Sequence, residues 1–163
     1  MVNTIADTNA AIWSILETVM DPEVPVLSVV DLGVIRAVAK DGQQITVTIT
    51  PTYTGCPAMD MIAMQIRMAL MAAGYEPTIK TILSPAWTTD WMTEKGKQQL
   101  KAYGIAPPIG KSIDAAYLEE LVVPCPQCQS THTVLISQFG STACKALFKC
   151  EECKEPFDYF KCH

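Results

Sequence analysis

Residues 125–153 read CPQCQSTHTVLISQFGSTACKALFKCEEC. The stretch begins and ends on a C-x₂-C pair, Cys125/Cys128 and Cys150/Cys153, with 21 residues between them. Each pair can turn two sulfurs onto one ion, and the residues between can fold back as a hairpin that brings the pairs together. Four thiolates in a tetrahedron suit zinc in a closed structural site. The gap exceeds the usual loop of this pattern by about one residue, which a hairpin absorbs. The spacing therefore predicts a zinc-ribbon-like module over residues 123–163, with Cys125, Cys128, Cys150 and Cys153 as ligands. A segment of about forty residues buries too little apolar surface to offset its own ordering entropy, so a metal is the expected staple. Thiolates also suit iron and iron–sulfur clusters, which stand as alternatives to zinc. A redox dithiol in either pair is the weaker reading, because a reactive C-x₂-C sits singly at a helix N-terminus. Cys144 lies six residues before the second pair and Cys162 nine after it. Each reads either as a small buried hydrophobe or as an additional ligand in a second metal site.

Outside this stretch, composition limits the function classes. The chain has 163 residues, 49% of them hydrophobic and 18% charged, which suits one domain with a small appendage. The net charge of −5 belongs to the front: residues 1–122 hold 13 acids and 8 bases, whereas the remainder holds four of each. Neither part has the basic patch that phosphate binding demands, so nucleic acid is not an expected partner. The N-terminus lacks the basic start and apolar run of a signal peptide. The most apolar segment, 59–73, is interrupted by Asp60, Gln65 and Arg67, so no membrane span is expected. A cytoplasmic protein follows, in which seven cysteines, an odd number, are thiols or ligands rather than disulfides.

The front half alternates helix and strand patterns. Ile12, Ile15, Leu16, Val19 and Met20 share one helical face, with Pro22 and Pro25 ending the helix. Val34, Arg36 and Val38 lead to a turn at Asp41–Gly42, and Ile45, Val47 and Ile49 alternate on the return strand. Pro57–Ala73 reads as a second helix stopped by Gly74. One of its faces holds Met59, Ile62, Ala63, Ile66 and Leu70, and a second stripe holds Met61, Met64, Met68 and Met71. The simpler reading is a helix buried most of the way round. The alternative is an adaptable, methionine-lined partner surface that also suits self-association into a homo-oligomer. EPTIKTILS (76–84) is a third strand and TTDWMTEKGKQQLKAYG (88–104) a third helix. The order αββαβα predicts a small α/β (α+β) domain over 1–104. Residues 105–122, with Pro107–Pro108 and no clean period, read as a linker.

Two patches in this domain carry chemistry. Cys56 stands in TPTYTGCPAMD (50–60), after a strand and before Pro57, which suits the first helical position and makes Cys56 the expected N-cap. A thiolate there is favoured by the helix dipole. Cys56 is a buried spectator, a metal or cluster ligand, or a nucleophile, and its position alone leaves all three open. The second patch is DPEVPVLSVVDLG (21–33), where Asp21, Glu23 and Asp31 surround a proline-bounded loop.

DPEVPVLSVVDLG, TPTYTGCP and PAWTTDWM together resemble the small domain of the iron–sulfur assembly-factor family, which includes SufT-type proteins. With CPQC and FGSTACKALFKCEECKEPFDYFKC added, nearly the whole chain resembles the PaaD-like family of the bacterial phenylacetyl-CoA epoxidase system. The terminal His163 is not part of that pattern. The resemblance implies an accessory protein of phenylacetate degradation that assembles or delivers iron or an iron–sulfur cluster. Its implied clients are the di-iron oxygenase and the cluster-containing reductase. It also implies that Cys56 is the working cysteine, with Asp21, Glu23 and Asp31 as an acidic loop beside it. No Glu-x-x-His pair and no glycine-rich dinucleotide loop is present, so oxygenase chemistry is not expected of this chain. A scaffolding role in the epoxidase complex and a thiol-dependent redox enzyme are the competing functions.

Overall fold

The computed structural model describes residues 4–109 and 115–161. It has α1 (Thr4–Leu16), β1 (Ile35–Asp41), β2 (Gln44–Ile49), α2 (Ala58–Ala72), β3 (Glu76–Thr81), α3 (Glu94–Tyr103), α4 (Ala115–Glu120), β4 (Thr133–Ser137), β5 (Lys145–Cys150) and β6 (Pro156–Phe160), with a 3₁₀ turn at Thr89–Trp91. The fold is α+β, as the sequence pattern predicts. Contacts divide the chain into two compact units, residues 1–87 with 91–93, and residues 88–90 with 94–163.

The first unit is built on a three-stranded sheet in the order β1-β2-β3. β1 and β2 form the expected antiparallel hairpin, and α2 carries the chain over to β3, which lies parallel to β2. β2 is central, and its alternation sends Ile45, Val47 and Ile49 into the core. Ile62, Ile66 and Leu70 of α2 and Ile12 and Leu16 of α1 are also buried to 1% exposure or less. Side chains of this size contribute about 1.5–3 kcal/mol each when buried. Gly74 ends α2 at φ +88, where the Tyr75 N–H reaches Leu70 O and the Gly74 N–H reaches Met71 O. That is the left-handed stop predicted for this residue.

Three local expectations are corrected. The first helix ends at Leu16 rather than near Met20. The Thr18 amide and hydroxyl both bond to Ile15 O, and a bridge between Met20 and Ser28 then closes the following loop. Val19 is still buried, but through this loop and not through a helical face. The third helix starts at Glu94 because Thr93 is drawn away to Asp31, its amide donating to Asp31 O at 2.9 Å. Finally, α2 is not buried all round. Met61, Met64, Met68 and Met71 are 43–63% exposed, so the second stripe faces solvent.

The second unit holds an antiparallel sheet ordered β4-β5-β6. Its small core contains Phe148, Phe157 and Tyr159, with Phe148 stacked on Phe157 at 5.9 Å and meeting Tyr159 edge-on at 5.7 Å. Ala106 pairs alongside Tyr159, its amide donating to Asp158 O and its carbonyl accepting from Phe160 N–H. Cys125 and Cys150 belong to this core.

Candidate functional site

The hairpin β4–β5 returns the second cysteine pair to the first. The sulfurs of Cys125, Cys128, Cys150 and Cys153 all lie within 4.8 Å of one another, with Cys128 to Cys150 at 3.5 Å and Cys125 to Cys153 at 3.7 Å. A tetrahedron with Zn–S bonds of about 2.3 Å has edges of about 3.8 Å, so the four residues fit a zinc ion as they stand. Two sulfurs are contributed from the core, while Cys128 and Cys153 are at the surface.

The two pairs share a backbone device that spacing alone does not reveal. Cys125 N–H donates to Ser130 O and Cys150 N–H to Glu155 O, each five residues on. The residue after each pair, Gln129 at φ +64 and Lys154 at φ +66, is left-handed. This conformation costs a non-glycine residue roughly 1–2 kcal/mol and is held only where its surroundings demand it. At Cys150, burial works to raise the thiol. The amides of Cys153 and Glu152 and the neighbouring thiols outweigh it and bring the pKa from 9.0 to about 7. At Cys153 the Glu155 amide works to lower the thiol, but burial and the other three sulfurs push it up to about 12. Protons and metal therefore compete for the same four sulfurs.

Cys144 is not a member of this group. It is buried just before β5, at the opposite end of that strand from Cys150, with Thr142 Oγ1 3.0 Å from its sulfur. The strand separates them by about 20 Å. Cys162, named as a further ligand, lies outside the described residues, as does His163.

In the first unit, Cys56 is partly exposed on the turn between β2 and α2. The N-cap of α2 is Pro57, with φ −66, so Cys56 sits one residue earlier than predicted. Its amide bonds to Tyr53 O and its carbonyl accepts from Met59 N–H. Nearby, Thr50 is buried with a hydroxyl that finds no partner among the described residues, Thr52 is buried, and Thr54 is exposed.

The acidic loop divides by role. Asp21 is buried and its Oδ1 accepts from the amides of Glu23 and Val24, at 2.7 and 3.0 Å. Asp31 is buried too, with Oδ1 accepting from Thr93 Oγ1 at 2.6 Å and Oδ2 from Ser28 Oγ at 3.0 Å. Neither they nor Glu23 joins Cys56 in a metal-sized cluster among the described residues. The sequence did not indicate that DLG and PAWTTDWMT meet. Besides the Asp31–Thr93 bond, Trp87 Nε1 donates to Leu32 O at 3.0 Å, and the Arg36 guanidinium lies 3.4 Å over the Trp91 ring. Asp31→Ala is expected to lower unfolding stability by about 2–3 kcal/mol, because the buried Ser28 hydroxyl and the half-buried Thr93 hydroxyl lose a charged acceptor. Urea denaturation checks this, and a loss well under 1 kcal/mol would mean the bonds to Thr93 and Ser28 are not holding the junction.

The family described as PaaD zinc beta ribbon domain matches residues 111–161, which contain all four clustered cysteines. An Escherichia coli (strain K12) protein assigned to the 1,2-phenylacetyl-CoA epoxidase as one of its subunits is 51% identical over 152 residues, 93% of this chain and 91% of that protein. The chain belongs to the PaaD family of epoxidase subunits. Within this PaaD-family chain, the family described as iron-sulfur cluster assembly protein matches residues 9–78, which contain Asp21, Glu23, Asp31 and Cys56. An Fe-S protein maturation auxiliary factor of Porphyromonas gingivalis is 38% identical over 104 residues, 61% of the PaaD-family chain and 97% of its own length. A crystal structure of a domain of unknown function, DUF59, from Bacillus anthracis superposes with a TM-score of 0.55 at 25% identity, covering 60% of this chain and 97% of that one. No described helix is long and apolar enough to cross a membrane.

Proposed function

We propose that this chain is a non-catalytic, cytoplasmic accessory protein that delivers iron or an iron–sulfur cluster to the phenylacetyl-CoA epoxidase system. The observation that carries this reading is the match of residues 9–78 to iron–sulfur cluster assembly proteins, with Cys56 on a partly exposed turn inside that span. The clients are the di-iron oxygenase and the cluster-containing reductase. Cys56 holds the cargo as a thiolate, and Asp21 and Asp31 act by fixing the shape of the acidic loop that also carries Glu23. The second unit holds one structural zinc on Cys125, Cys128, Cys150 and Cys153. When bound, the ion cross-links the two cysteine pairs and offsets part of the charge of their thiolates.

Cys56→Ser is expected to give chain with unchanged secondary structure and zinc content. The iron content of the oxygenase and reductase purified from cells carrying it should fall several-fold. Fully metallated epoxidase components from such cells would overturn the proposal. A second reading, as a scaffold of the epoxidase complex, draws on the exposed stripe of Met61, Met64, Met68 and Met71. It predicts stable co-purification with the epoxidase and indifference to Cys56→Ser.

A further inference from the structure

We propose that two copies of this chain pair along the exposed methionine stripe of α2, side by side and in the same direction, with their two Cys56 thiols flanking one iron–sulfur cargo. The pairing rests on the stripe, and the cargo between the copies rests on the role given to Cys56 above. Met61, Met64, Met68 and Met71 are all exposed and recur at steps of three, four and three. That is the spacing along which two helices pack knobs into holes. Together they present roughly 400 Å² of apolar surface, in the range of the largest patches that folded monomers leave open and use. Met20 and Ala69 extend the patch through a groove beside Met68.

Charge selects a second copy and its direction. Asp60 and Arg67 are the only charged residues of α2 and lie seven apart on one flank of the stripe, with Gln65 and Ala72 on the other. In a parallel pair each residue of the first flank meets the one five further on in the other copy. Asp60 then meets the Gln65 amide and Arg67 meets Ala72, twice over by symmetry and with no like-charge contact. In an antiparallel pair that overlaps all four methionines, the two Arg67 side chains face each other and repel. A shift of one heptad joins Arg67 to Asp60 but sets Met68 and Met71 opposite residues 57 and 54, at and before the start of the other helix.

The parallel pair also answers a deficit at Cys56. Among the described residues, the four ribbon cysteines are the one group of ligand side chains of metal size, so Cys56 brings a single ligand. A two-iron cluster takes four thiolates. Cys56 directly precedes the N-cap of α2, and parallel axes about 8–10 Å apart set both Cys56 residues beside one space. Two positive helix ends meet there, which opposes pairing without cargo and favours an anionic one. The stripe is about half of the ~800 Å² that each partner of a stable pair buries, so pairing depends on the cargo. Small thiols fill the two remaining positions, and a client's cysteines displace them, thiolate for thiolate, with no change of oxidation state.

The test mixes the full, zinc-loaded chain under nitrogen with a preformed two-iron cluster on glutathione, and reads mass by light scattering after size exclusion. A doubled mass and one cluster per two chains are expected. Met64→Lys with Met68→Lys should keep the chain monomeric and lower cluster retention about tenfold or more, with circular dichroism and zinc content unchanged. Met68→Lys alone serves if the double variant misfolds. Direction is read from Met71→Cys, which a short bismaleimide should link to its counterpart in a parallel pair, whereas an antiparallel pair holds the two roughly 15 Å apart along the axis. Failure of that link in a cluster-bound dimer overturns the direction. A cluster held by the monomer and lost in Cys56→Ser overturns the pairing and leaves the role of Cys56 standing, whereas retention unaffected by Cys56→Ser overturns that role. A native chain that stays monomeric without cluster overturns the proposal, as it would if the stripe instead meets an epoxidase subunit.

Discussion

Cys125→Ser will cost the second unit its zinc and, with it, its fold. The expected loss is on the order of 10 kcal/mol, the scale of metal binding in small structural zinc modules. The size follows from the core. Cys125 and Cys150 are buried alongside Phe148, Phe157 and Tyr159, so the ion is joined directly to the small apolar cluster that the sheet encloses. Removing one sulfur leaves three others crowded within 4.8 Å, without the charge that makes their proximity favourable. Cys153, already pushed up to about 12, shows how the neighbouring sulfurs oppose a further thiolate in that space. Metal analysis should return less than one zinc per chain, and the β signal of the ribbon should melt far below that of the native protein. A variant with full zinc and unchanged melting would show that the four sulfurs are not the ligands.

The second large effect is expected in the first unit, at Gly33. A Cβ built there lies 2.3 Å from the Trp91 carbonyl oxygen and 2.6 Å from its carbon, at a backbone φ of +79. The obstructing atoms are backbone, so no side chain can swing aside. Gly33→Ala should destabilise the unit by about 3–5 kcal/mol, combining left-handed strain with overpacking. For a unit of this size, that lowers Tm by roughly 10 °C or more. Gly55 provides the internal control. It has the same φ of +79, but nothing within 4 Å of its Cβ position. Gly55→Ala should therefore cost only about 1–2 kcal/mol, and the difference between the two isolates the contact with Trp91. Equal losses in thermal denaturation would remove Trp91 from the explanation.

What was legible in the sequence was local. The 2.0 period of Ile45, Val47 and Ile49 gave β2, the Asp41–Gly42 turn gave the hairpin, and Gly74 gave the end of α2. The cysteine pairs were legible because metal geometry restricts spacing tightly. What failed depended on partners distant in the chain. Val19 fitted a helical period yet is buried by a loop closing on Val29. Thr93 left the third helix for a bond 62 residues away, and Trp87 found Leu32 across 55. The methionine stripe misled for another reason. A helix apolar on two faces has the same composition whether its second face meets its own core or is left exposed, so periodicity cannot separate the cases. Cys56 is legible from its position between a strand and a helix, but the cap falls one residue later, at Pro57.

The junction of DLG with PAWTTDWMT has a spectroscopic consequence. Trp87 and Trp91 both sit there, and the remaining tryptophan, Trp13, is in α1. All three lie in the first unit, and the ribbon has none. Indole emission therefore reports the first unit alone, with Trp91 read under the Arg36 guanidinium that covers its ring. Tyr159, in the ribbon core, absorbs without that signature. Unfolding of the first unit can therefore be followed by its own emission, without adding a label, while metal or denaturant acts on the whole chain.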